Sequence, residues 1–106
     1  MNAAVSPLDT NNLLYVHDTK NPRRWLIDGG ASLSIVPPNN AQRAQGPTKS
    51  VLQAANGTKI ACYGHSKEIV NLGDRTYDCN LVIADVTQPI LGSDFLAFHS
   101  TAVSSI

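Results

Sequence analysis

In the run "RRWLIDGGASLSIVPP", Asp28 follows the apolar residues Trp25, Leu26 and Ile27 and precedes Leu33, Ile35 and Val36. Taking an ionised carboxylate out of water is costly unless it is hydrogen-bonded or shares a proton. Gly29 and Gly30, directly after it, let the backbone turn sharply and leave room for another backbone or a ligand to approach. The same letters also fit a plainer reading, a strand that ends in a tight Asp-Gly turn.

The other reactive side chains form no comparable constellation. His17, His65 and His99 are scattered, with no serine or cysteine in a nucleophile elbow. No pair of His, Cys or carboxylates has metal-ligand spacing, and "DGGAS" lacks the lysine and spacing of a phosphate loop. No metal and no cofactor is therefore expected. Asp94, in "LGSDFL", suits the first turn of a helix, where free amides welcome a carboxylate; Asp85 begins a turn toward Pro89. One carboxylate alone is a weak acid–base catalyst. Two at close range cannot both ionise, so one serves as base and the other as acid. A chain with one such aspartate can take the second from an identical chain across a two-fold axis.

The elements that must position Asp28 are short and extended. "LLYVHD", "TKNP" and "RRWLID" read as a hairpin, and "LSIVPP" as a strand stopped by Pro37-Pro38. "NNAQRAQGPTKS" reads as a polar connection. "VLQAANGTKIAC" gives two extended arms around Asn56-Gly57, the favoured pair for a type I′ turn. Strands over Lys67 to Leu72 and Thr76 to Ala84 flank a Gly73-Asp74 turn. Only "SDFLAFHS" suggests a helix, capped by Ser93, with Phe95, Leu96 and Phe98 as its inward face. Residues 1–12 are small and polar and read as a flexible arm, leaving 13–106 as a single all-β domain, a small closed β-barrel with one short C-terminal helix.

Composition narrows the function further. Eight Lys and Arg balance eight Asp and Glu, and no basic cluster exceeds the Arg23-Arg24 pair, so nucleic acid is not expected as a partner. Cys62 and Cys79 are too few for a disulfide framework and read as buried free thiols, with a cross-strand disulfide as the alternative. No apolar run approaches the ~20 residues of a membrane span, and the first residues do not resemble a signal peptide. No membrane partner is expected, and the cytoplasm is the expected location.

"LIDGGASLSIVPP" resembles the active-site loop of the retropepsins, the aspartic proteases of retroviruses and LTR retrotransposons, whose pattern is an apolar pair followed by Asp-Thr/Ser-Gly-Ala. "VLQAANGTKIACYG" resembles the flap hairpin of gypsy-type retrotransposon proteases, and "LVIADVTQPILGSDFL" their closing segment. The resemblance implies a retropepsin-type barrel and a homodimeric aspartic endopeptidase that processes a polyprotein, inside retrotransposon particles or free in the cytoplasm. Asp28 would be catalytic. Gly30, Ala31 and Ser32 would shape the loop beside an extended peptide substrate, and Ala55, Asn56 and Gly57 would form the flap tip over it. Ile35 and Ile90 would line side-chain pockets, with ordinary core as the alternative.

The resemblance breaks in two places. Gly29 stands where the family has Thr or Ser, whose hydroxyl bonds across the dimer axis, and the chain closes on the short polar "HSTAVSSI" instead of an apolar strand. A retropepsin-like barrel that binds without efficient cleavage is therefore a competing expectation. An unrelated small barrel is a third.

Overall fold

The structure, a computed structural model, describes residues 14–54 and 56–99. The expected arm over residues 1–12, the flap-tip residue Ala55 and most of the polar terminus lie outside the described residues.

The first hairpin forms as its sequence predicts: β1 (Leu14–His17) pairs antiparallel with β2 (Arg24–Ile27), from Leu14 opposite Ile27 to His17 opposite Arg24. Asp18 closes the connection. Its amide donates to Arg23 O at 2.9 Å, while its Oδ1 accepts from the amides of Lys20 and Asn21 at 2.8 and 2.9 Å. Its Oδ2 accepts from the Asn71 amide at 3.0 Å, which fastens the turn to a distant strand. Burial alone would push the Asp18 carboxyl up, but these donors, joined by the Asn71 side chain, outweigh it and hold the group below the ordinary carboxylate value.

β3 (Ile35–Val36) stops at Pro37-Pro38. The polar connection then contains a helix that the sequence reading did not anticipate, α1 (Asn40–Gln45). A capping box explains it: Asn39 Oδ1 accepts from the Gln42 amide and Gln42 Oε1 accepts from the Asn39 amide, both at 2.8 Å. With no buried residue, α1 lies wholly on the surface.

β4 (Val51–Gln53) and β5 (Lys59–Leu72) make the Asn56-Gly57 hairpin, but not with a two-residue type I′ turn. Gln53 pairs with Lys59 and the Ala54 amide donates to Thr58 O at 2.8 Å, so the loop spans three residues, with Gly57 at φ +87°. A left-handed glycine at the third position of such a loop is the alternative hairpin geometry. β5 also runs unbroken from the hairpin into the strand expected from Lys67, bending at a bulge between Cys62 and Gly64, where Gly64 takes φ +121°. It returns through Gly73-Asp74 into β6 (Arg75–Ala84). Two residues, Ile90 and Leu91, form β7, and α2 (Ser93–Phe98) follows.

The strands form one curled sheet in the order β1-β2-β7-β3-β6-β5-β4. Its main core gathers Val16, Trp25, Val70, Leu81, Leu91 and Phe95, and the helix contributes buried Phe95 with half-buried Leu96 packed against the same core, as expected of both. Phe98, expected to face inward, is 84% exposed. In a helix of six residues it is the last, and it meets His99 edge-on at 5.0 Å instead of the core.

The order β2-β7-β3 has one consequence for Asp28. Because β7 lies between β2 and β3, the loop that joins those two strands must cross the end of β7.

Candidate active site

Asp28 is the first residue after β2, and its backbone continues the β2–β7 ladder: Ile27 pairs with Leu91 and the Asp28 amide donates to Leu91 O at 3.0 Å. The side chain is buried, 9% exposed. Oδ1 accepts from the Gly30 amide at 3.0 Å, and the Asp28 carbonyl accepts from the Ala31 amide at 3.1 Å. These bonds fold "DGGA" into a tight loop around the carboxylate. Oδ2 is buried and meets no hydrogen-bond donor among the described residues. A buried carboxylate oxygen without a partner is an exception among buried polar groups and calls for an explanation.

The structure brings Asp28, Gly30 and Ala31 together through these bonds and leaves Gly30 and Ser32 exposed beside them. Ala31 is fully buried, and its carbonyl accepts from the Ser93 amide at 2.7 Å. Ile35 and Ile90 are opposite each other on β3 and β7. In the single chain both are core: Ile35 is 0% and Ile90 4% exposed, with Ile90 packed on Leu26 and Ala31. Asn56 and Gly57 are exposed at the hairpin tip. The arms of that hairpin are tied to the loop region, since Leu52, Ile60 and Cys62 pack in one cluster with Leu33 and Ile35.

Four residues that matter here, Ser34, Gly92, Ser93 and Asp94, carried no functional expectation or a different one. Ser93 is expected to cap α2 but is its first helical residue; the N-cap is Gly92, which has no side chain to form a cap bond, and the free Ser93 amide is satisfied by Ala31 O. Asp94 does lie in the first turn, yet its carboxylate reaches back to Ser34, accepting from the hydroxyl at 2.7 Å and from the amide at 3.1 Å. The Gly92 amide donates to Ser34 Oγ at 3.0 Å. The only local hint was the acidic residue at a helix start, which says nothing of its partner 60 positions away.

Elsewhere, Asp85 directly follows β6 and pairs with Arg43 of α1 at 3.3 Å. Cys62 and Cys79 are both free and buried. They belong to register pairs at different heights of β5–β6, Cys62 with Ala84 and Cys79 with Glu68, so the cross-strand disulfide is not formed. Burial pushes both thiols up, Cys79 to about 11, with Asp94 adding to the Cys79 shift. Neither is a nucleophile at neutral pH. A groove of about 650 Å³ lies along α2, lined by Glu68, Ile69, Asp78, Asp94, Phe95 and Phe98 among others; Asp28 does not line it. No helix among the described residues is long and apolar enough to cross a membrane.

A curled sheet, one buried aspartate at the loop between β2 and β3, and a closing helix behind it are the features of a retropepsin-type aspartic protease fold. Residues 16–97 match the family model described as "gag-polyprotein putative aspartyl protease", and the chain belongs to that family. Its fold is similar to that of EIAV protease complexed with the inhibitor HBY-793, at a TM-score of 0.61 and 18% identity over 92% of this chain and 95% of that one. It is also similar to the retroviral protease-like domain of Ddi1 from Leishmania major, at a TM-score of 0.60 and 21% identity over 83% of this chain and 78% of that one.

Proposed function

We propose that the protein is a homodimeric aspartic endopeptidase of the gypsy-type retrotransposon kind, which cleaves a polyprotein in the cytoplasm. The observation that carries this reading is the Asp28 carboxylate, with Oδ1 fixed by the Gly30 amide and buried Oδ2 left without a donor. A second copy, placed with its own Asp28 across a two-fold axis, supplies what one protomer lacks.

In that dimer the two carboxylates share one proton and hold a water between them. The ionised carboxylate takes a proton from the water as its oxygen attacks the peptide carbonyl carbon, and the protonated one donates to the carbonyl oxygen. Collapse of the tetrahedral species breaks the C–N bond, and the amine leaves with a proton from the dyad. The substrate lies extended, paired by backbone bonds as an added strand. Gly30, Ala31 and Ser32 border it on the loop side, and the β4–β5 hairpin covers it through Ala55, Asn56 and Gly57. Ile35 and Ile90 back the loop and set the shape of the apolar pockets.

Gly29 favours a second reading, a retropepsin-like binding module with weakened catalysis, because that position offers no hydroxyl to the partner loop. Peptide cleavage by the wild type and by Asp28→Asn separates the two. The amide fills the same space but cannot share the proton, so cleavage is expected to vanish while the circular dichroism and melting curve persist. Cleavage retained by pure Asp28→Asn protein defeats the protease mechanism. A wild type that binds peptide without cutting it supports the binding module.

A further inference from the structure

We propose that Ser34 and Asp94 are positioning residues that hold the Asp28 loop in its working shape, an inference that rests on the aspartic-protease reading above. Ser34 is fully buried, and every polar atom it has is engaged. Its hydroxyl accepts from the Gly92 amide at 3.0 Å and donates to Asp94 Oδ1 at 2.7 Å. Its amide donates to Asp94 Oδ2 at 3.1 Å, and its carbonyl accepts from the Val82 amide at 3.0 Å. Both carboxylate oxygens thus grip one residue, and Oδ1 also accepts from the Phe95 amide at 2.6 Å. Charge-assisted bonds of this two-point kind fix direction as well as distance. Asp94 itself is exposed, so the clasp gains this grip without stripping the charge of water.

The clasp matters to Asp28 because of what lies between them. The strip from Leu91 to Asp94 holds the loop at three places: the Asp28 amide on Leu91 O, the Ala31 carbonyl on the Ser93 amide, and Ser34 on Gly92 and Asp94. Between the first two anchors stand Gly29 and Gly30, whose backbones restrain themselves least of all residues. The direction of the Asp28 carboxylate, set by the Gly30 amide, is therefore only as firm as the outer anchors. Releasing the Ser34 end lets the loop turn about Leu91, and the carboxylate loses its aim. Neither Ser34 nor Asp94 touches the reacting atoms in this account, so the loss falls on turnover and not on peptide binding.

The test compares wild type, Ser34→Ala, Asp94→Ala and the conservative Ser34→Thr, with Asp28→Asn as the activity control. Asp94→Ala removes both carboxylate oxygens and with them the two-point grip, at an exposed position, so it carries the test if a change at buried Ser34 upsets folding. Cleavage is read as kcat and KM, and native-state hydrogen exchange is read at the Gly30 and Ala31 amides and along β5–β6. Expected are a fall in kcat of roughly 10- to 100-fold with KM kept, faster exchange confined to Gly30 and Ala31, and recovery in Ser34→Thr. Loop and β5–β6 amides speeding up by the same factor would mean general stability loss and overturn the proposal, as would no change at either place. If the wild type shows no Asp28-dependent cleavage, the protease reading fails on its own, and the exchange pattern still decides whether the clasp holds the loop.

Discussion

Gly92 packs so tightly on the Asp28 loop that a Cβ there would stand 2.8 Å from Ala31 O and 2.7 Å from the carbonyl carbon of Leu33. Both are backbone atoms, which cannot swing aside as a side chain can. A crowded glycine of this site thus lies on the strip that braces the Asp-Gly-Gly run. Gly92→Ala is expected to displace the loop or α2 and to cost on the order of 1–3 kcal/mol or more. Urea unfolding checks the stability, and peptide cleavage should fall with it; a stable, fully active Gly92→Ala protein contradicts this account of the packing.

Gly29 is the opposite case. A Cβ there meets nothing within 4 Å, and Gly29 is not among the positive-φ glycines, so a side chain fits without strain. Gly29→Thr is expected to tighten the dimer by restoring one hydroxyl per chain, together on the order of 1–3 kcal/mol, or roughly five- to a hundredfold in dissociation constant. Sedimentation of both proteins over a concentration series measures it. An unchanged or weaker dimer would mean that no partner group waits for that hydroxyl.

Cleavage should follow a bell-shaped pH profile on the acid side of neutral. Two carboxylates that share a proton titrate in two steps that belong to the pair, and only the singly protonated pair has both a base and an acid. A rate still climbing through about pH 8 would require a catalyst other than a carboxylate pair.

Asp18 links stability to pH. Its folded carboxyl lies below the ordinary value, so its contribution is complete above the unfolded carboxylate pKa and fades as pH falls through the folded one. Asp18→Asn would set an NH2 among the donor amides of Lys20, Asn21 and Asn71, at a cost of about 1–3 kcal/mol near neutrality. The difference between wild type and variant should shrink steadily below about pH 4. Paired urea titrations at neutral and acid pH read this directly.

Both thiols should resist alkylation in the folded protein at mildly alkaline pH, since burial raises them and Cys79 titrates at about 11. Labelling should appear only on unfolding. Rapid native labelling would show that β5–β6 opens far more readily than its packing implies.

What the sequence determined by itself is local. Asp28 between apolar runs, the β1–β2 hairpin, the Gly73-Asp74 turn and the stop at Pro37-Pro38 depend on neighbours a few positions away, and these signals lie side by side in the chain. The capping box at Asn39 and Gln42 was equally local, and α1 was legible there although the polar composition masked it. Tertiary structure alone decided the rest. Whether Ile35 and Ile90 are pocket or core depends on what β3 and β7 meet, and apolar residues look the same in either place. Ser34, Gly92 and Asp94 carry no periodic or spacing signal, because their bonds join residues 58 and 60 positions apart. Those contacts exist only once β7 has entered the sheet between β2 and β3, and that long-range pairing, not any local preference, turns an Asp-Gly-Gly turn into a braced carboxylate.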